Sequence, residues 1–316
     1  MEDRIAIIGA AGAVGRALAD ECERRGVRPV VTGRDSAKLE SLFAGRAEIR
    51  AADLNDAGRA ARALEGVVHA VYCVGLPYPQ FHQHPVLMRK AIDAARRAGV
   101  RRMAVVSSVY SYGRPQTARV SETHPREPES RKGRFRREQE DAAIEAHSPG
   151  EFETCVLHLP DFYGPYASNS LAHMMMKSLM AGKPARWLGD PDLPHEFVFM
   201  PDAARVIADM LDRPACFGRR WNLAGAGEIS GRRFAGLAAR QFGTQPRVIA
   251  TGRMMLRLGG LFSPLLRELV ELQYLGEVPV LLDDTALRAV LGEVSKTPYE
   301  EGVRRMAEWM RGVVRS

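Results

Sequence analysis

Three glycines at three-residue spacing, Gly9, Gly12 and Gly15, stand directly behind a short apolar run at residues 4–8. Residues of this type and spacing can bind a pyrophosphate. Gly9 allows a sharp turn, Gly12 lets the phosphates approach the backbone, and Gly15 lets the following helix lie close to the strand. With Ala11, Ala13 and Val14 between them, the turn offers the free N–H groups of a helix N-terminus to an anion. A second chemical position lies at Thr32-Gly33-Arg34, about twenty residues on, where an acid would hydrogen-bond an adenosine ribose. Gly33 removes the repulsion such an acid exerts on a 2′-phosphate, and Arg34 adds a guanidinium able to grip one. NADP(H) is therefore the expected cofactor, with NAD(H) left open by the neighbouring Asp35.

These groups need elements to hold them. Short β-branched runs recur at "RPVVTGRD", at "AEIRAADLND", which ends with Asp53, at "VVHAVYCVG" and at "RRMAVVSSVY". Helical stretches at residues 57–64 and 86–98 lie between the later runs. Strands alternating with helices predict an α/β fold built on a Rossmann-type, doubly wound parallel sheet. The expected division is an NAD(P)-binding domain over residues 1–165 and a smaller, mainly substrate-binding lobe over 166–316. Segments near 195–225 are expected to return to the first domain.

Composition narrows the partners. At 316 residues the chain suits one large α/β unit or two lobes around a cleft. No stretch approaches the roughly 18 to 20 continuous apolar residues that cross a bilayer. The first residues lack the layout of a signal peptide, so a cytoplasmic location without a membrane partner is expected. The net charge of +7 comes from arginines spread along the chain rather than from a patch, which argues against nucleic acid. Such a balance still favours small phosphorylated molecules. Cys22, Cys73, Cys155 and Cys216 form no CxxC pair, so neither a metal site nor a disulfide framework is expected.

The glycine turn, "ADLND" around Asp53 and "SSVYSYG" at residues 107–113 together resemble the extended short-chain dehydrogenase/reductase superfamily, also called the NAD-dependent epimerase/dehydratase family. "LHLPDFYGP", "HEFVFMPDAARVI" and "RRWNLAGAGEIS" carry the resemblance on, over nearly residues 4–235. It implies that Asp53 and Leu54 border the adenine and that Cys73, Val74 and Gly75 border the cofactor ribose. It also sets Ser107 beside the cofactor, Ser108 at the reacting carbonyl, and Pro160, Asp161 and Phe162 beside the nicotinamide.

The family's Pro-x-Ser-x-Tyr-Gly-x-Ser-Lys pattern, where Tyr is the general acid or base and Lys lowers its pKa, falls on "PESRKGRFRREQE". Pro128, Ser130 and Gly133 match, whereas Lys132 takes the place of the Tyr and Arg136 that of the Lys. Arginine is effectively never deprotonated, so Arg136 can hold a ribose or phosphate but cannot relay a proton. Lys132 can give a proton if burial beside Arg136 lowers its pKa. The competing reading is a solvated helix face, with Arg134–Glu138, Arg136–Glu140 and Arg137–Asp141 as i,i+4 pairs.

Ser108, Lys132, Tyr110 and Tyr163 are thus the candidate catalytic residues, with His158 and His195 as further donors in the same segments. The expected activity is that of an NADP(H)-dependent oxidoreductase on a carbonyl or alcohol of a small molecule. An epimerase or dehydratase on a nucleotide sugar, and a dinucleotide-binding sensor without turnover, are the alternatives; a homodimer stays open. In the last third, Met174 to Met176 with Met254 and Met255 suggest core packing or an adaptable pocket wall.

Overall fold

A computed structural model describes residues 4–261 and 263–315. Its first half alternates strands β1 (Ile5–Ile8), β2 (Val30–Thr32), β3 (Glu48–Ile49), β4 (His69–Tyr72), β5 (Arg102–Ser108) and β6 (Glu153–Leu159) with helices. Those helices are α1 (Ala13–Arg24), α2 (Ser36–Phe43), α3 (Ala57–Ala63), α4 (His84–Arg97) and α5 (Arg131–Glu145). A further strand, Arg220–Asn222, pairs with β6, giving a sheet of seven strands with β3 at the opposite edge. All its pairings are parallel, and the inner strands β1, β2 and β4 are buried throughout, so they read as apolar runs rather than alternations.

From β1 the chain winds outward through β2 to β3, then crosses back and winds the other way through β4, β5 and β6. The switch between β1 and β4 opens a crevice at the carboxyl ends of these strands, where doubly wound sheets bind ligands. One core packs α1, α2 and the helix Met200–Leu211 on one face of the sheet; another packs α3, α4 and α5 on the other. The strand Arg220–Asn222 and the helix Met200–Leu211 both follow residue 195 and yet lie on this sheet and on α1.

The last third forms its own core. Helices Leu171–Met180, Gly231–Phe242 and Tyr299–Arg315 surround Trp187, Phe197, Phe199 and Phe234, beside a parallel strand pair Ala185–Leu188 and Val248–Thr251. Met175 and Met176 are buried in this core, but Met174, Met254 and Met255 are exposed and lie outside it. Among the described residues no helix is long and apolar enough to cross a membrane, and no three His, Cys, Asp or Glu side chains gather as a metal site.

Candidate active site

At the end of β1 the chain reverses through Gly9, whose φ of +87° suits glycine alone, and a Cβ there would stand 2.8 Å from Val74 Cα. Gly12 is the N-cap of α1 and brings no side-chain cap. The first helical bond, Arg16 N–H to Gly12 O, spans 3.0 Å. The N–H groups of Ala13, Val14 and Gly15 therefore lack helical acceptors and are free for an anion. Ala11 lies in the same turn, and Gly15 lies against the Ala10 backbone. This cradle fits the pyrophosphate of a dinucleotide.

Past β2, Arg34 is exposed and pairs with no acid among the described residues. Asp35 is committed elsewhere: its carboxylate accepts the Lys38 N–H at 3.0 Å and caps α2. Asp53 is exposed in the loop after β3, its carboxylate accepting the Asn55 N–H at 2.8 Å. Leu54 packs partly buried against the core under α3 and α4. Cys73, Val74 and Gly75 follow β4 on the crevice side of the sheet. The Cys73 thiol donates to Ile8 O at 3.3 Å, and burial pushes its pKa up to about 12, so it stays neutral.

The two serines that end β5 have separate fates. Ser107 Oγ donates to Glu140 Oε1 at 2.5 Å, and this carboxylate, fully buried on α5, also accepts Arg126 Nη1 at 2.9 Å. His158 Nε2 lies 3.1 Å from the other Glu140 oxygen. Burial alone would raise the Glu140 pKa, but His158, Ser107 and Arg126 outweigh it and hold the carboxyl below its ordinary value. Ser107 thus belongs to the support. Ser108 Oγ, one residue on, is buried with no partner among the described residues.

Lys132 sits in the first turn of α5, capped by Ser130 Oγ, which accepts the Gly133 N–H at 3.0 Å. Any Cβ at position 133 would come within 2.5 Å of Tyr110 O, so glycine lets this turn press against the end of β5. Only 2% of Lys132 is exposed, which removes the solvated reading for it. Its Nζ donates to the carboxylates of Glu268 and Glu271 and to Glu268 O at 3.1 Å, which occupies all three protons. The same nitrogen lies 5.3 Å from the Tyr78 ring centroid. Its ionic neighbours are therefore two carboxylates of the C-terminal lobe, where the sequence suggested Arg136.

Arg136 follows one turn later and is half-buried. Its Nη1 donates to Gln139 Oε1 at 2.9 Å, its Nε is buried without a partner, and no carboxylate pairs with it among the described residues. Burial lowers its pKa, a cost that an anionic or hydroxyl-bearing ligand would offset. The expected Arg136–Glu140 pair is replaced because Glu140 turns inward to Ser107 and Arg126.

Tyr110 is largely buried, and its hydroxyl lies 3.3 Å from that of Tyr78. Burial first, then the neighbouring Tyr78 and Asp161, raise its pKa well above that of an ordinary tyrosine, so the group keeps its proton. Tyr163 is a different case: it is 0% exposed, ringed by Phe197, Phe199, Phe234 and Tyr299, and its hydroxyl has no partner among the described residues. A proton donor must reach the substrate, and a side chain closed inside an aromatic core cannot; Tyr163 is structural. Pro160 is buried, Phe162 half-buried, and Asp161 Oδ2 lies 3.0 Å from His195 Nε2 with both side chains partly open.

The family description "NAD dependent epimerase/dehydratase family" matches residues 5–224. The chain belongs to that family. Its members are nicotinamide-dependent enzymes. No curated protein matches the sequence. Among solved structures, MoeE5 in complex with UDP-glucuronic acid and NAD is 21% identical, with a TM-score of 0.80 over 98% of this chain and 99% of that one. UDP-glucuronic acid 4-epimerase from Bacillus cereus in complex with NAD is 15% identical, with a TM-score of 0.81 over 98% and 99%. DesIV, a dTDP-glucose 4,6-dehydratase from Streptomyces venezuelae, is 21% identical, with a TM-score of 0.80 over 98% and 97%. At these identities the likeness is one of fold. Within it, this family member carries Lys132 and Arg136 where the family pattern has Tyr and Lys.

Sequence reasoning missed Tyr78, Glu268 and Glu271. "LPYPQFHQ" and "RELVELQ" carry no chemical spacing, and the two glutamates reach Lys132 across more than a hundred residues of sequence separation. Their occupation of Nζ has a measurable consequence. If substrate must displace the two carboxylates from Lys132, Glu268→Gln with Glu271→Gln should raise kcat/KM about tenfold, mainly through KM. Steady-state kinetics of the double variant checks this, and an unchanged KM would remove the competition.

Proposed function

We propose that the chain is an NADP(H)-dependent oxidoreductase that interconverts a carbonyl and an alcohol on a small, moderately apolar molecule. In this assignment residues 1–165, with the segment near 195–225, hold the cofactor, and the rest of 166–316 covers the substrate. The observation that carries it is the Ser108 hydroxyl at the end of β5, buried with no partner among the described residues, with Lys132 on the helix turn that packs against Tyr110, two residues on. A hydroxyl without a partner and a multi-proton donor suit an oxygen that gains negative charge.

The turn at Gly9, Ala11, Gly12, Ala13, Val14 and Gly15 would hold the pyrophosphate, Arg34 the 2′-phosphate and Arg136 the ribose. When bound, the nicotinamide supplies or accepts a hydride. In reduction, Ser108 Oγ donates to the carbonyl oxygen, and Lys132 Nζ, released from Glu268 and Glu271, gives a proton to the oxygen that forms. That proton transfer would leave the neutral alcohol, and solvent would restore the lysine proton. Tyr110, buried beside Tyr78, keeps its proton and would act only as a hydrogen-bond donor.

A second assignment, epimerase or dehydratase on a nucleotide sugar, needs a group that removes a proton. The Asp161–His195 pair, 3.0 Å apart and partly open, is the observation that favours it. Incubation with NADPH and a panel of ketones and aldehydes, and in parallel with NAD+ or NADP+ and a panel of nucleotide sugars, separates the two. Steady loss of NADPH with a ketone or aldehyde supports the oxidoreductase; sugar conversion with no net loss supports the epimerase; tight binding without conversion supports a sensor.

The cofactor choice has its own test. Arg34→Ala should weaken NADPH binding by about 10- to 100-fold, the scale of a charge-assisted phosphate contact, and leave NADH binding nearly unchanged. Fluorescence titration measures both. Equal losses for the two cofactors would remove the role of Arg34.

A further inference from the structure

The helix Arg253–Gly260 turns its apolar face away from the protein. Leu256 and Gly260, one turn apart, are buried and anchor it. On the opposite side Met254 is 76% exposed, Leu258 58% and Leu261, just past the helix, 69%. Positions i, i+4 and i+7 form one stripe, so these three side chains make a continuous surface rather than scattered exposures. Ordinary surface helices of this kind turn such a stripe inward. Arg253 and Arg257, also one turn apart, are exposed along its flank and pair with no acid among the described residues. From Gly243 to Arg267 the sequence holds four arginines and no aspartate or glutamate.

We infer that this helix docks on an anionic lipid surface. Apolar side chains pointing outward with unpaired cations beside them match a helix lying in the plane of a bilayer, its stripe among acyl chains and its arginines at the headgroups. With only eight residues, the helix lies on the surface and does not cross it. A second copy of the chain is the less suitable occupant, because it would set the same unpaired arginines against one another. The next described helix, Pro264–Leu269, carries Glu268 to Lys132, so the docking surface lies close in sequence to the segment that pairs with Lys132.

The full chain, mixed with vesicles of phosphatidylcholine alone or of an equal mixture of phosphatidylcholine and phosphatidylglycerol, tests this by co-sedimentation. Binding is expected to the anionic vesicles, much less to the neutral ones, and to fall with added salt. Met254→Asp with Leu258→Asp should weaken binding by about tenfold or more, and Arg253→Ala with Arg257→Ala should do so independently. Should the aspartate variant fail to fold, as its urea midpoint would show, the arginine variant decides. No binding to anionic vesicles at low salt, or binding that survives both pairs of substitutions, would overturn the inference. So would a dimer in buffer that these substitutions convert to monomer, since the stripe would then belong to a second copy.

Discussion

Lys132→Met should lower turnover by about 100-fold or more while NADPH affinity stays near that of the unaltered protein, since general-acid catalysis contributes on this scale. Methionine keeps the length and apolar stem of lysine and removes only the donor. The pH profile should change with it, because the group that hands over the proton is gone. Loss of the lysine also leaves Glu268 and Glu271 facing each other without a cation, so the segment that carries them should loosen. Arg136→Ala is the control. It should weaken cofactor binding, because its guanidinium lies half-buried without a carboxylate. An unchanged rate in Lys132→Met would return the proton-donor role to Tyr110 or to water.

Glu140→Ala should destabilise the fold by about 3 to 5 kcal/mol, the range for removing one partner of a buried ionic network. The carboxylate is fully buried, and its loss strands Ser107, leaves Arg126 with Asp141 alone and leaves His158 facing a void. Urea unfolding measures the effect as a lower midpoint. Because the folded pKa of Glu140 lies below its unfolded value, its contribution is complete above about pH 5 and is lost as pH falls through the folded value. Glu140→Gln should therefore flatten the acid side of the stability profile. A variant that unfolds at the same urea concentration as the parent at neutral pH would show that the network contributes little.

The cofactor half was legible because its signals are local. Glycine spacing at Gly9 to Gly15, β-branched runs and the helices between them each act over a few residues, and the parallel sheet follows from their alternation. The helix predicted over 57–64 is Ala57–Ala63, and that predicted over 86–98 is His84–Arg97, whose start Pro85 favours at its second position. What stayed hidden depends on contacts distant in sequence. Nothing near Lys132 announces Glu268 and Glu271, and nothing in "DFYGP" says that Tyr163 closes an aromatic core while Asp161, two residues earlier, stays partly open. Two serines in a row likewise read alike until Glu140 takes the first and leaves Ser108 free. The methionines at 254 and 255 suggested packing by composition, and only the burial of Leu256 shows which way their helix faces.

The central claim is that a hydride leaves the cofactor and stays on the product. Reduction with NADPH carrying deuterium at the transferable position of the nicotinamide tests it directly, once a ketone or aldehyde from the panel consumes cofactor. Mass spectrometry of the product should show one deuterium on the alcohol carbon for each NADPH oxidised, and Ser108→Ala should slow its appearance. An alcohol formed without the label, or label released to water instead of appearing on the product, would contradict net hydride transfer by this chain.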